Sequence, residues 1–167
     1  MIITQPTADA LPEICALYQT VIADMHARGL FQWHWGWYPY EALLKEDIAL
    51  GRLYRMDDED GLAGVFALVT GGQEPEYRDV GWQLGDNPVC LHRIAVLPGR
   101  GGRGYAAKAV EFAKDYGRSV GCNAFRVDTY TDNIRALKFF QSVTTRKAGT
   151  FTLEGFDKLY HCFEAAL

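Results

Sequence analysis

The stretch from Cys90 to Tyr116 limits the possible folds more than any other part of the chain. An apolar strand, CLHRIAVL, runs into the glycine-rich turn PGRGGRG, and an amphipathic helix follows at once. On that helix Ala106, Ala109, Val110, Ala113 and Tyr116 share one face, while Lys108, Glu111 and Arg118 lie elsewhere. A second strand, AFRVDT from Ala124, and a second helix from about Asn133 to Val143 come next. Strand, turn, helix, strand and helix in that order predict a parallel βαβ unit.

The rest of the chain supplies the partners such a unit needs. Ile2 to Gln5 reads as a first strand. Leu11, Ile14, Leu17, Tyr18, Val21, Ile22 and Met25 fall at helical spacing, with Gly29 as the stop. Pro39 suits the first turn of a further helix carrying Leu43, Leu44 and Ile48 and ended by Gly51. Leu53–Met56 and Leu62–Thr70 predict a hairpin around the acidic turn DDEDG. Gly71 to Pro88 is polar, with Tyr77 and Trp82 standing out, and reads as a long loop with room for one strand. Closing strands are expected at Arg146–Phe151 and Lys158–Phe163. The fold class is therefore α/β. No repeat or linker divides the 167 residues, so residues 1–167 are expected to form one domain.

Several function classes fall away. A net charge of −4 does not suit a scaffold held to nucleic acid by phosphate contacts. No apolar run approaches the roughly 20 residues that span a bilayer, and MIITQPTADA does not read as a secretion signal. Cys15, Cys90, Cys122 and Cys162 are scattered without a CxxC pair, which points to small buried hydrophobes in a reducing cytoplasm and not to a metal site.

The glycine turn carries the chemistry. Gly99, Gly101, Gly102 and Gly104 let backbone N–H groups converge, and the helix N-terminus adds positive dipole. The result is a nest suited to a diphosphate, with Arg100 or Arg103 adding charge. Read literally, Gly99, Gly101 and Gly104 match GxGxxG, and Asp128 stands where a ribose-binding acid belongs. Context opposes that dinucleotide reading: His92 and Arg93 interrupt the strand, and too little chain remains for two βαβαβ halves. An RNA-binding arginine–glycine segment is opposed by its single short copy in an acidic chain.

The segment resembles the coenzyme A motif of the GNAT superfamily of N-acyltransferases, [QR]-x-x-G-x-[GA]. Its register here is Gly101-Gly102-Arg103-Gly104-Tyr105-Ala106; Gly104 and Ala106 fill the two small positions, and Gly101 replaces Gln or Arg. The Asn-x-x-Ala pattern of the family appears as Asn133 and Ala136. Within the superfamily the chain resembles a bacterial subgroup through Gln32-Trp33, Tyr38-Pro39, His92 to Val96, Asp128-Thr129 and Asp132-Asn133.

The resemblance implies a mostly antiparallel mixed sheet flanked by helices, with a central parallel strand pair that splays. It implies acetyl-CoA as co-substrate, and transfer of an acetyl or other short acyl group to an amine, without a metal. The acyl-pantetheine arm would enter between His92–Val96 and Ala124–Tyr130, with backbone groups at Ile94, Ala95 and Val96 meeting the thioester. Gly101 to Ala106 would hold the diphosphate, and Asn133 and Phe140 would complete the cofactor site. The family often has a Tyr seven residues after the motif Asn as general acid. Phe140 stands there, so Tyr130 or a water substitutes, or the thiolate leaves unprotonated.

Two residues qualify as the base that accepts the amine proton. His92 is a candidate because the unperturbed pKa of histidine lies near neutrality, and Asp128 lies near the end of the adjacent strand. Trp33, Trp35, Trp37, Tyr38 and Tyr40 crowd one connection, which in the family lines the acceptor site. Trp33, Trp37 and Tyr38, with Trp82, suit a small apolar or aromatic amine; exposed aromatics equally suit a homodimer surface. A non-catalytic CoA-binding module and a dimeric binding protein are the rivals.

Overall fold

Pro12 sits in the first turn of the longest helix, where a missing N–H breaks no intrahelical bond. The structure, a computed structural model, describes residues 1–71, 75–153 and 159–167. Its elements are β1 (Ile2–Thr4), α1 (Leu11–Ala27), α2 (Glu41–Ala49), β2 (Leu53–Asp58), β3 (Gly61–Thr70), β4 (Pro88–Val96), α3 (Tyr105–Ser119), β5 (Ala124–Tyr130), α4 (Ile134–Val143), β6 (Arg146–Phe151) and β7 (Tyr160–Ala166). The strands form one seven-stranded sheet in the order β1-β2-β3-β4-β5-β7-β6. The ladders β1–β2, β2–β3, β5–β7 and β6–β7 are antiparallel, and β4–β5 is parallel. This is the α/β class expected from the sequence.

The parallel ladder runs from Pro88↔Ala124 to Leu91↔Val127, the first four residues of each strand. By contrast, β5 pairs with β7 along its whole length, from Ala124↔Ala166 to Tyr130↔Tyr160. That full-length pairing carries β7 three residues past the expected Phe163. Its expected start at Lys158 lies outside the described residues.

The helix at Pro39 needs a correction. Tyr40 is extended (φ −135°, ψ 157°) and caps a helix that begins at Glu41. Pro39 instead closes the aromatic loop: its carbonyl accepts from Gly36 N–H at 3.3 Å, and His34 bridges Tyr38. The Tyr38–Pro39 peptide is cis. Between Gly71 and Pro88, the described residues contain a single 3-10 turn, Pro75–Tyr77, and no strand; residues 72–74 lie outside them.

The chain divides into two compact units. One comprises Met1–Leu68 with Arg93–Ala109. Its core gathers the buried face of α1 (Ile14, Leu17, Tyr18) with Leu44, Leu53 and Val65. The other comprises Val69–His92 with Val110–Leu167, and buries Tyr77, Val80, Cys90 and Cys162 under Trp82 and Phe151. Each fully buried large apolar side chain contributes about 1.5–3 kcal/mol. Glu164, fully buried on β7, holds the turn before β4 by accepting from Gln83 and Leu84 N–H and pairing with Arg146. No described helix is long and apolar enough to cross a membrane.

Candidate active site

Arg93 has a positive φ of 53° in the middle of β4, a conformation uncommon for any residue with a side chain. Three contacts hold it there. The Tyr18 hydroxyl donates to the Arg93 carbonyl at 2.7 Å, Arg93 Nη2 meets Asp47 Oδ2 at 2.6 Å, and Nη1 reaches the Tyr38 hydroxyl at 3.3 Å. The Arg93 and Asp47 side chains are only 7% and 2% exposed, so the pair is a buried one. Burial raises the Asp47 carboxyl above its ordinary value against the pull of Arg93. For Arg93 burial acts downward, and Tyr38, Asp47 and Tyr18 outweigh it, so the guanidinium stays charged.

Beyond this kink the strand carries Ile94, Ala95 and Val96, and Leu97 N–H donates to Ala63 O at 2.9 Å. The approach to β3 is close. A Cβ at Gly64 would lie 2.7 Å from Ala95 O and 2.6 Å from Met56 Cε, so only glycine fits. The turn then opens into solvent: Gly101, Gly102, Arg103 and Gly104 are all exposed. Gly102 and Gly104 have φ of 80° and 83°, and no atom lies within 4 Å of where a Cβ would stand on either. The first helical bond of α3 runs from Lys108 N–H to Gly104 O, so the amides of Tyr105, Ala106 and Ala107 precede it. Open space over a left-handed glycine turn at the start of a 15-residue helix fits a diphosphate.

The two arginines of this turn have different surroundings. Arg100 Nη1 pairs with Asp58 Oδ2 at 2.5 Å and Asp60 Oδ2 at 2.8 Å, while Arg103 is exposed. The Tyr105 hydroxyl also donates to Asp58 Oδ2. That bond, with help from the Asp60 amide, Arg100 and Arg103, holds the Asp58 carboxyl below its ordinary value. Neither Asp47 nor Asp58 stands out in the sequence, because each meets its partner more than 40 residues away.

In the other unit, His92 and Asp128 come together: His92 Nδ1 lies 4.0 Å from Asp128 Oδ1. A third residue, missed in the sequence, completes the group. The Tyr77 hydroxyl donates to Asp128 Oδ1, and its ring lies over the His92 ring with centroids 5.8 Å apart. Burial, then the Asp128 charge, pushes the Tyr77 hydroxyl well above its ordinary value, so it stays a donor. Trp82 braces Tyr77 through an Nε1–H bond to its carbonyl (3.0 Å) and an edge contact, and the Arg126 guanidinium lies 4.5 Å from the Trp82 ring centre. The prominence of Tyr77 in a polar stretch was the only signal for it.

The remaining expected residues fall as follows. Asn133 caps α4, its Oδ1 accepting from Ala136 N–H at 3.2 Å. Phe140 is buried against Phe139. Trp33 packs on the core and meets Tyr18 and Tyr38 edge-on, whereas Trp37 is 51% exposed. Among the described residues no cluster of His, Cys, Asp and Glu could hold a metal.

Solved acetyltransferases share this fold. The fold is similar to that of a GNAT-family acetyltransferase from Streptococcus agalactiae (TM-score 0.80, 21% identity, covering 99% of this chain and 95% of that one). It is similar also to one from Listeria monocytogenes (0.77, 18%, 99% and 94%). A ribosomal-protein-alanine N-acetyltransferase from Brucella melitensis matches over the full length of both chains (0.67, 14%). No curated protein sequence matches the chain. The family model for the acetyltransferase (GNAT) family matches residues 16–143. The chain belongs to the GNAT family of acetyltransferases, whose general reaction is acyl transfer from acetyl-CoA.

Proposed function

We propose that this chain transfers an acetyl or other short acyl group from acetyl-CoA to the amine of a small acceptor, by direct attack on the thioester. The observation that carries the reading is the glycine turn: open, left-handed at Gly102 and Gly104, and followed directly by α3. The amides of Gly101 to Ala106 hold the diphosphate, and the backbone of Ile94 to Val96 holds the arm and polarises the thioester carbonyl.

Proton transfer falls to His92 and Asp128. The attacking amine must be neutral, and the 4.0 Å pair offers an imidazole backed by a carboxylate to take its proton. Tyr77 fixes the carboxylate and leaves the imidazole to the amine. Trp33, Trp37 and Tyr38 favour an apolar or aromatic acceptor amine.

The reading is tested by free-thiol release from acetyl-CoA in the presence of single aromatic and aliphatic amines, with the acylated product confirmed by mass spectrometry. Amine-dependent, saturable release is expected. Tight CoA binding without release for any amine would favour a second reading, a non-catalytic CoA-binding module. Phe140, buried where the family often has a tyrosine acid, is the observation on its side.

A further inference from the structure

The acidic hairpin segment has no part in the reaction as described, yet one of its carboxylates, Asp58, touches both ends of the glycine turn. Asp58 is the last residue of β2. Its Oδ2 accepts from Arg100, which opens the turn, and from Tyr105, which begins α3. Between those two anchors lie only Gly101, Gly102, Arg103 and Gly104, all exposed. Among the described contacts, no other side chain reaches both anchors.

We propose that Asp58 is a positioning residue for the diphosphate: it closes the segment Arg100–Tyr105 and presets the amides between. The proposal rests on the reading of this turn as the CoA diphosphate site. The physical case is entropic. Glycine loses more backbone freedom on ordering than any other residue, so a turn of this composition left loose would oppose binding. A tether formed on folding moves that loss out of the binding step.

A carboxylate beside a bound diphosphate also repels it, so Asp58 has two effects of opposite sign. The geometry decides between them. The Asp58 charge is matched at once by Arg100 at 2.5 Å and receives the Tyr105 hydroxyl, so its field on a bound anion is weakened. Asp60 has a single contact to Arg100 and a mostly exposed side chain, and it does not reach Tyr105. Asp58 therefore acts as a tether, and Asp60 is a dispensable charge.

Two replacements separate tether from charge. Asp58→Ala removes both; Asp58→Asn removes the charge and keeps an oxygen that accepts from both anchors. Equilibrium dialysis of CoA should show Asp58→Ala binding about tenfold more weakly than wild type, with Asp58→Asn within about threefold of it. Tyr105→Phe should weaken binding similarly, and the double variant Asp58→Ala/Tyr105→Phe should be no worse than Asp58→Ala. In turnover the loss should lie in KM for acetyl-CoA, with kcat retained. Amide exchange at Gly101, Gly102 and Gly104, read without any ligand, should accelerate in Asp58→Ala and not in Asp58→Asn. Unchanged exchange, or CoA binding by Asp58→Ala equal to or tighter than wild type, would overturn the proposal. Faster exchange in Asp58→Ala with no CoA uptake by wild type would support the tether and sink the diphosphate reading instead.

Discussion

Tyr77 donates its hydroxyl to the same carboxylate oxygen of Asp128 that lies 4.0 Å from His92 Nδ1. One carboxylate thus faces a permanent donor on one side and an imidazole on the other. His92→Ala should lower kcat by about 10²–10⁴-fold while CoA binding stays as in wild type. Stopped assays paired with CoA binding measurements check the split.

Tyr77→Phe gives a pH signature. A donated hydrogen bond favours the charged carboxylate, so removing it should move the acid limb of the kcat profile to higher pH. The alkaline limb should not move, because burial keeps the Tyr77 hydroxyl protonated well past its ordinary range. A rate profile from mildly acid to alkaline pH reads both limbs.

Asp47 and Arg93 form a buried pair, and its halves should not be separable. Asp47→Ala leaves a buried guanidinium without its carboxylate and should cost about 3–5 kcal/mol in urea unfolding. Asp47→Leu with Arg93→Met should cost less than either single replacement, because no lone charge is left behind.

Two glycines should fail in different ways. Gly64→Ala drives a Cβ against the Ala95 carbonyl, so it should destabilise the fold by about 1–3 kcal/mol. A Cβ at Gly102 meets nothing within 4 Å, but its φ of 80° strains a β-branched side chain, so Gly102→Val should destabilise the fold only by that local strain, about 1–2 kcal/mol, while weakening CoA binding. Thermal melting and CoA titration together distinguish the two.

The frame was legible because local signals sufficed for it. The α1 face, the β2–β3 hairpin, the Cys90–Leu97 strand and the α3 face each follow from periodicity and punctuation within one segment. The site was legible only in part. Gly102 and Gly104 announce themselves as glycines, and His92 and Asp128, whose side chains carry the acid–base chemistry, lie side by side in the fold. What set the backbone was hidden. Arg93 in a left-handed conformation, Asp47 beneath it and Asp58 across the glycine turn all depend on partners distant in sequence. Pro39 failed as a helix start because the aromatic loop before it claims its carbonyl, which no local rule foretells.

Cysteine chemistry gives a further check. None of the four cysteines is in a disulfide and all are buried, and burial raises the Cys15, Cys122 and Cys162 thiols above their ordinary value. The native protein should react slowly with a disulfide reagent, and all four should react once it is unfolded in denaturant.

The central claim is that the turn from Gly101 to Ala106 holds the diphosphate of acetyl-CoA. Titration calorimetry of acetyl-CoA into folded wild-type protein tests it most directly, with Gly102→Val alongside. The account predicts saturable one-to-one binding by wild type and at least about tenfold weaker binding by the variant. Absence of binding heat and of competition by CoA in wild type, or equal affinity in the two proteins, would contradict it.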